Sequence, residues 1–92
     1  MNRKNIFDIM TDWANRDTKT IINSGNTVSL KCQEKLRFLL KFSADPDSAY
    51  FRKGRECYDT YVKTLISLID AYDRANGLHR TTSIPAWPEK SI

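Results

Sequence analysis

The sequence has a single histidine, two cysteines and no apolar run denser than Leu65-Ile66-Ser67-Leu68-Ile69. Each scarcity closes a class of function. His79 stands just past a helix-stop signal, and there is no Gly-rich phosphate loop, no HExxH pair and no Cys-His spacing that would give a nucleophile its base. Cys32 and Cys57 are too few and too far apart for a CxxC pair or a structural zinc site, and make a thin framework for a secreted mini-protein. Both are expected to be buried thiols in a reducing compartment. A membrane span needs about 20 apolar residues, far more than any stretch here supplies. The opening MNRKNIFDIMTDW is cationic like a signal peptide, but Asp8 and Asp12 interrupt what would have to be its apolar segment. The expectation is a cytoplasmic protein, not an enzyme, with no metal or cofactor and no membrane partner.

Alternation of apolar and polar residues, the mark of a half-buried strand, is missing as well. Three stretches repeat instead at helical spacing, so the predicted fold is all-α. Hydrophobic content of 40% and charged content of 28% lie in the globular range. At 92 residues the chain has room for one core. We expect one helical domain over 1–78 and an extended strap or tail over 79–92.

The first helix is predicted to open at Asn5, a good N-cap with Asp8 three residues on, and to place Ile6, Ile9, Met10, Trp13 and Ala14 on one face. Its end has two readings. Ile21 rejoins that face if the helix runs to the NSGN stop at 23–26, but Asp17 falls on the same face and argues for a break near 15–18. The second helix is predicted over 28–42, with Val28, Cys32, Leu36, Leu39, Leu40 and Phe42 sharing one broad arc and Phe38 just outside it. The third is predicted over about 46–76. Asp45, Pro46 and Asp47 form its start signal, and Asn76-Gly77-Leu78 its stop.

Within the third helix Phe51, Gly54, Tyr58, Tyr61, Leu65, Leu68, Tyr72 and Ala75 alternate three and four residues apart, a heptad pattern. The flanking positions argue against a two-stranded zipper, because Val62 and Ile69 are apolar where charges are wanted. The helix is therefore expected to be the centre of a bundle, with Asp59, Thr60, Lys63, Ser67, Asp70, Asp73 and Arg74 solvated. A helix of about 30 residues spans about 45 Å, too long for so small a domain, and a break or close crossing near Gly54 is expected. Arg52 has Glu56 and Arg55 has Asp59 four residues on, which leaves Lys53 without a helical partner of opposite charge.

The net charge of +4 is carried by the first half: residues 1–44 hold eight Lys or Arg against four acids, and residues 45–92 hold seven against seven. Two functions fit. One is a small protein-binding regulator, adaptor or inhibitor that works by occupying a surface, a homodimer included among its assemblies. The other is a nucleic-acid-binding regulator that sets Lys31, Lys35, Arg37 and Lys41 of the second helix against phosphates. An exposed Phe38 among these cations would make an aromatic-centred basic patch; a core arc wide enough to cover Phe38 removes that patch, and this covered arrangement is the one expected. Arg52 and Lys53 extend the candidate partner-binding set, and Trp87, held between Pro85 and Pro88, completes it.

Overall fold

The computed structural model describes residues 5–24, 27–80 and 82–88. It contains three helices, α1 (Ile6–Ser24), α2 (Val28–Ser43) and α3 (Gly54–Asn76), followed by an irregular tail. α1 and α2 each pack mainly on α3, which is the central element. The charged opening Met1–Lys4, the Gly25-Asn26 part of the predicted stop, and residues 81 and 89–92 of the tail lie outside the described residues.

α1 begins where its cap places it. Asn5 Oδ1 accepts hydrogen bonds from the backbone N–H of Phe7 and of Asp8, both at 2.9 Å, which satisfies two of the donors that every helix start leaves open. The helix does not break at 15–18. Its polar residues there find partners instead: Thr18 donates to the Ala14 carbonyl at 2.8 Å, and Asp17 accepts from Tyr61 of α3 at 2.5 Å. With both satisfied, the helix continues and returns Ile21 to the core, fully buried.

The core is formed by Met10, Ala14 and Ile21 of α1, Val28, Cys32 and Leu39 of α2, and Cys57, Tyr58, Tyr61, Leu65 and Ile69 of α3. Full burial of each large aliphatic side chain among them contributes about 1.5–3 kcal/mol relative to exposure. Along α3 the buried positions run 54, 57, 58, 61, 65, 69 and 73, so the heptad reading needs correction at both ends: Phe51 lies before the helix and is exposed, Leu68 and Tyr72 are only half-buried, and Ala75 is exposed. A straight helix has 3.6 residues per turn, and a 3.5-residue repeat drifts off its inner face unless a supercoiled partner follows it. Here the inner face advances by fours, and Ile69 takes the place expected for Leu68.

The start of the third helix also differs from expectation. Asp45 and Pro46 open a pair of tight turns and no helix. Asp45 Oδ1 accepts from the Asp47 N–H at 3.0 Å, the Ser48 N–H reaches the Asp45 carbonyl at 3.0 Å, and Ser48 Oγ then takes the Tyr50 N–H at 3.1 Å. Short polar side chains that bind nearby backbone offer it an alternative to the helical ladder. α3 therefore begins at Gly54, where the chain also crosses itself closely: a Cβ added there would lie 1.8 Å from Ser43 Oγ and 3.1 Å from Trp87 Cη2. Break and close crossing coincide.

α3 ends as its sequence predicts. Gly77 adopts the left-handed conformation with φ 64°, the Leu78 N–H reaches back to the Asp73 carbonyl at 2.8 Å, and the Gly77 N–H to that of Arg74 at 3.4 Å. This paired arrangement satisfies two terminal carbonyls. The Leu78 side chain, however, stays exposed.

Candidate functional site

The cations of α2 are divided between internal and external duty. Lys35 points inward: its Nζ is 3.7 Å from Asp17 Oδ2 and lies over the rings of Trp13 at 4.4 Å and Tyr61 at 5.2 Å. Lys31 is half-buried, 3.8 Å from Glu34 Oε1. Arg37 and Lys41 are exposed, and Lys41 Nζ sits 5.9 Å above the ring of Phe42. The four residues thus do not form one uniform basic face.

Phe38 is covered as a wide core arc requires, whereas Phe42 is not. Phe38 packs against the core inside an aromatic cluster, with ring centroids 5.0 Å from Trp13, 4.7 Å from Phe42 and 5.8 Å from Tyr50. Phe42, assigned to the buried arc, is 36% exposed. Phe42 stands in the last turn of α2, followed by the turns of 44–53 and no helix.

Those turns carry a second exposed ring. Phe51 is 45% exposed and lines a hollow of 260 Å³ together with Pro46, Ser48, Ala49, Arg52 and Lys53. Arg52 and Lys53 are exposed, and Lys53 Nζ lies 5.6 Å from the ring of Phe7, a cation–π contact in place of an ion pair. All ten aromatic side chains fall within the described residues, and Phe42 and Phe51 alone are exposed. They flank the half-buried Tyr50, whose carbonyl accepts from Ser43 Oγ at 3.0 Å. The α2–α3 corner therefore carries two exposed rings, Phe42 beside Lys41 at the end of α2 and Phe51 beside Arg52 and Lys53 in the turns, with Asp45 and Asp47 in the same connection.

Trp87 lies elsewhere, half-buried against the core with its ring 6.1 Å from that of Tyr58, whose hydroxyl donates to the Pro85 carbonyl at 2.5 Å. A groove of 640 Å³ remains open between this strap and the Arg55, Asp59, Val62 and Lys63 side of α3. The root of the strap is held by Arg80, whose Nε donates to both carboxylate oxygens of Asp73 at 3.0 and 2.9 Å. Asp73, expected on the solvated side, is in fact buried at 7% exposure, because Arg80 folds back to neutralise it. A hollow of 470 Å³ lies beside this pair.

Sequence reasoning missed Phe42, Phe51, Asp17 and the Asp73–Arg80 pair as determinants. Only Asp17 left a signal, as a lone acid on an apolar face. Among the described residues no group of three or more His, Cys, Asp or Glu is placed to hold a metal ion, and no helix is long and apolar enough to cross a membrane.

The buried hydroxyls and thiols are all biased toward their neutral forms. Burial pushes the Cys32 thiol up to about 11, with the Asp17 charge adding to it, and burial with Glu56 does the same for Cys57. Tyr58 rises to about 12, again chiefly through burial. Tyr61 rises further, through burial and then its hydrogen bond to Asp17. The folded chain therefore keeps protons that the unfolded chain releases from pH 9 upward, and stability must fall as pH climbs through that range. It should be fully present below the ordinary thiol value of 9.0 and decline from there through the folded values of about 11 and 12. Urea midpoints measured from pH 7 to 11 should drop continuously above about pH 9; a flat or rising series would contradict this burial.

Comparison with known proteins returns no match: no family model fits the chain, and no curated protein or solved structure aligns with it.

Proposed function

We propose that this protein is a small helical binding module that regulates, adapts or inhibits another protein by occupying its surface, with no chemistry of its own. The observation that carries this reading is the α2–α3 corner, where the chain's two exposed aromatic rings stand beside three exposed cations. Aromatic and Arg side chains dominate the binding energy of protein interfaces, and a cationic border favours an acidic partner surface by steering the encounter. A cytoplasmic setting suits two free, buried cysteines.

Nucleic acid is the competing partner. Less supports it, since Lys35 is engaged with Asp17 and Lys31 with Glu34, leaving Arg37 and Lys41 as the outward cations of α2. Phosphate binding by several cations weakens steeply with salt.

The test pairs a variant with a titration. Replacing Phe42 and Phe51 together by Ser should weaken a stoichiometric protein partner at least about tenfold, as loss of a hot spot does, while the helical circular dichroism at the assay temperature is retained. Duplex and single-stranded oligonucleotides at two salt concentrations should show no micromolar binding. Unchanged partner affinity in the double variant, or oligonucleotide binding that collapses with salt, would overturn the reading. Light scattering across a concentration series identifies a second copy as the partner.

A further inference from the structure

The tail occupies its groove in the manner of a bound peptide. Leu78 is hydrogen-bonded at the last turn of α3, and Trp87 touches the first turn at Gly54. The described part of the tail thus returns along α3 toward its first turn. Pro85 offers its carbonyl to Tyr58, Ile84 and Trp87 pack on the core, and exposed Ala86 lies between them.

Each feature of the seat matches a feature of that peptide. Gly54 has no side chain, so the flat indole can approach the backbone there. Tyr58 asks only for a carbonyl, which a proline supplies although it lacks an N–H. Prolines on either side of the tryptophan restrict the free peptide, so less entropy is lost on docking. Yet the strap does not fill the cleft, since a groove of 640 Å³ stays open along Val62 and Lys63.

We propose that the Gly54–Tyr58–Val62 seat is a recognition site for an extended, proline-flanked tryptophan segment of a partner protein, and that the strap is its internal occupant. The strap then acts as a competitor: a partner segment binds only by displacing Trp87. This seat adjoins the α2–α3 corner at Gly54, where Ser43 and Trp87 meet, but is lined by other side chains than Phe42 and Phe51.

The probe is a fluorescein-labelled peptide of residues 82–88, titrated into full-length protein and followed by anisotropy. Trp87→Ala, which vacates the seat, should bind it with a Kd of about 100 μM. The wild type should bind at least about tenfold more weakly, because the tethered strap competes at an effective concentration in the millimolar range. Adding Tyr58→Phe to Trp87→Ala should weaken binding about fivefold, the loss of one hydrogen bond. Should Trp87→Ala lose its helical circular dichroism, Ile84→Ser serves as the loosened-strap background and must also bind more tightly than wild type. The proposal fails if the folded variant does not bind, if the wild type binds equally well, or if a peptide with alanine in place of its tryptophan binds as strongly.

Discussion

Asp17→Ala is expected to destabilise the protein by about 3 kcal/mol, a large share of the stability of a small domain. Asp17 joins all three helices through polar contacts: from α1 it accepts the Tyr61 hydroxyl of α3 and lies 3.7 Å from Lys35 of α2. Without it the Tyr61 hydroxyl, on a fully buried side chain, has lost its acceptor, and such a group costs about 1–3 kcal/mol. Lys35, with a side chain only 19% exposed, loses its counter-charge as well. Tyr61→Phe should be milder, at about 1 kcal/mol, because Asp17 keeps Lys35. The double variant should cost less than the two single losses together, since the stranded hydroxyl is then gone. Urea unfolding of the four proteins measures this coupling, and strict additivity would mean that the bond contributes nothing.

Gly54→Ala should lower stability by about 2–3 kcal/mol, and its sign is the informative part. Alanine is the better helix former by about 1 kcal/mol, so at an exposed helical glycine the same change stabilises. Here packing opposes propensity. The new methyl would lie 1.8 Å from Ser43 Oγ, 3.0 Å from Ser43 Cβ and 3.1 Å from Trp87 Cη2, so that α2, α3 and the strap all press on one point. Ser43 Oγ cannot swing aside without giving up its bond to the Tyr50 carbonyl. Ser43→Ala in the same chain should restore about 1 kcal/mol, because it removes the closest atom and leaves the other two contacts. A Gly54→Ala protein with a higher melting temperature than the wild type would remove the three-way crossing from the account.

What the sequence made legible follows the range of the interactions involved. The Asn5 cap and the Asn76-Gly77-Leu78 stop depend on atoms within six residues of one another, and both hold in detail. The all-α class and the centrality of α3 follow from apolar spacing, which is also local. Failures begin where a distant partner decides. Asp17 looked like a helix breaker because Tyr61, 44 residues away, could not be seen to receive it. Asp73 looked solvated until Arg80 came back from beyond the helix stop to pair with it. The Asp45-Pro46-Asp47 signal was read as a helix start and proves to be a turn, because the same side chains that can start a helix can also close a turn.

The candidate surface lies where two expectations failed: Phe42 was assigned to the buried arc of α2 and Phe51 to the heptad face of the third helix. With α3 starting at Gly54, Phe38 joins Trp13 and Tyr50, and the exposed rings are Phe42 and Phe51 at the corner. The basic residues earlier grouped on α2 are divided accordingly, Lys35 toward the core and Lys41 toward Phe42.

The central claim is that α1, α2 and the strap of one chain seal the inner face of α3 and leave Phe42 and Phe51 outside. Hydroxyl-radical footprinting with residue-level mass spectrometry, run at about 1 μM and about 100 μM protein, tests both halves at once. Phe42 and Phe51 should be heavily oxidised, with Tyr61, Leu65 and Ile69 protected equally at both concentrations. Oxidation of Tyr61 or Leu65 to the level of Phe51 at the lower concentration would contradict the account, because the face of α3 would then be closed by a second molecule or not closed at all.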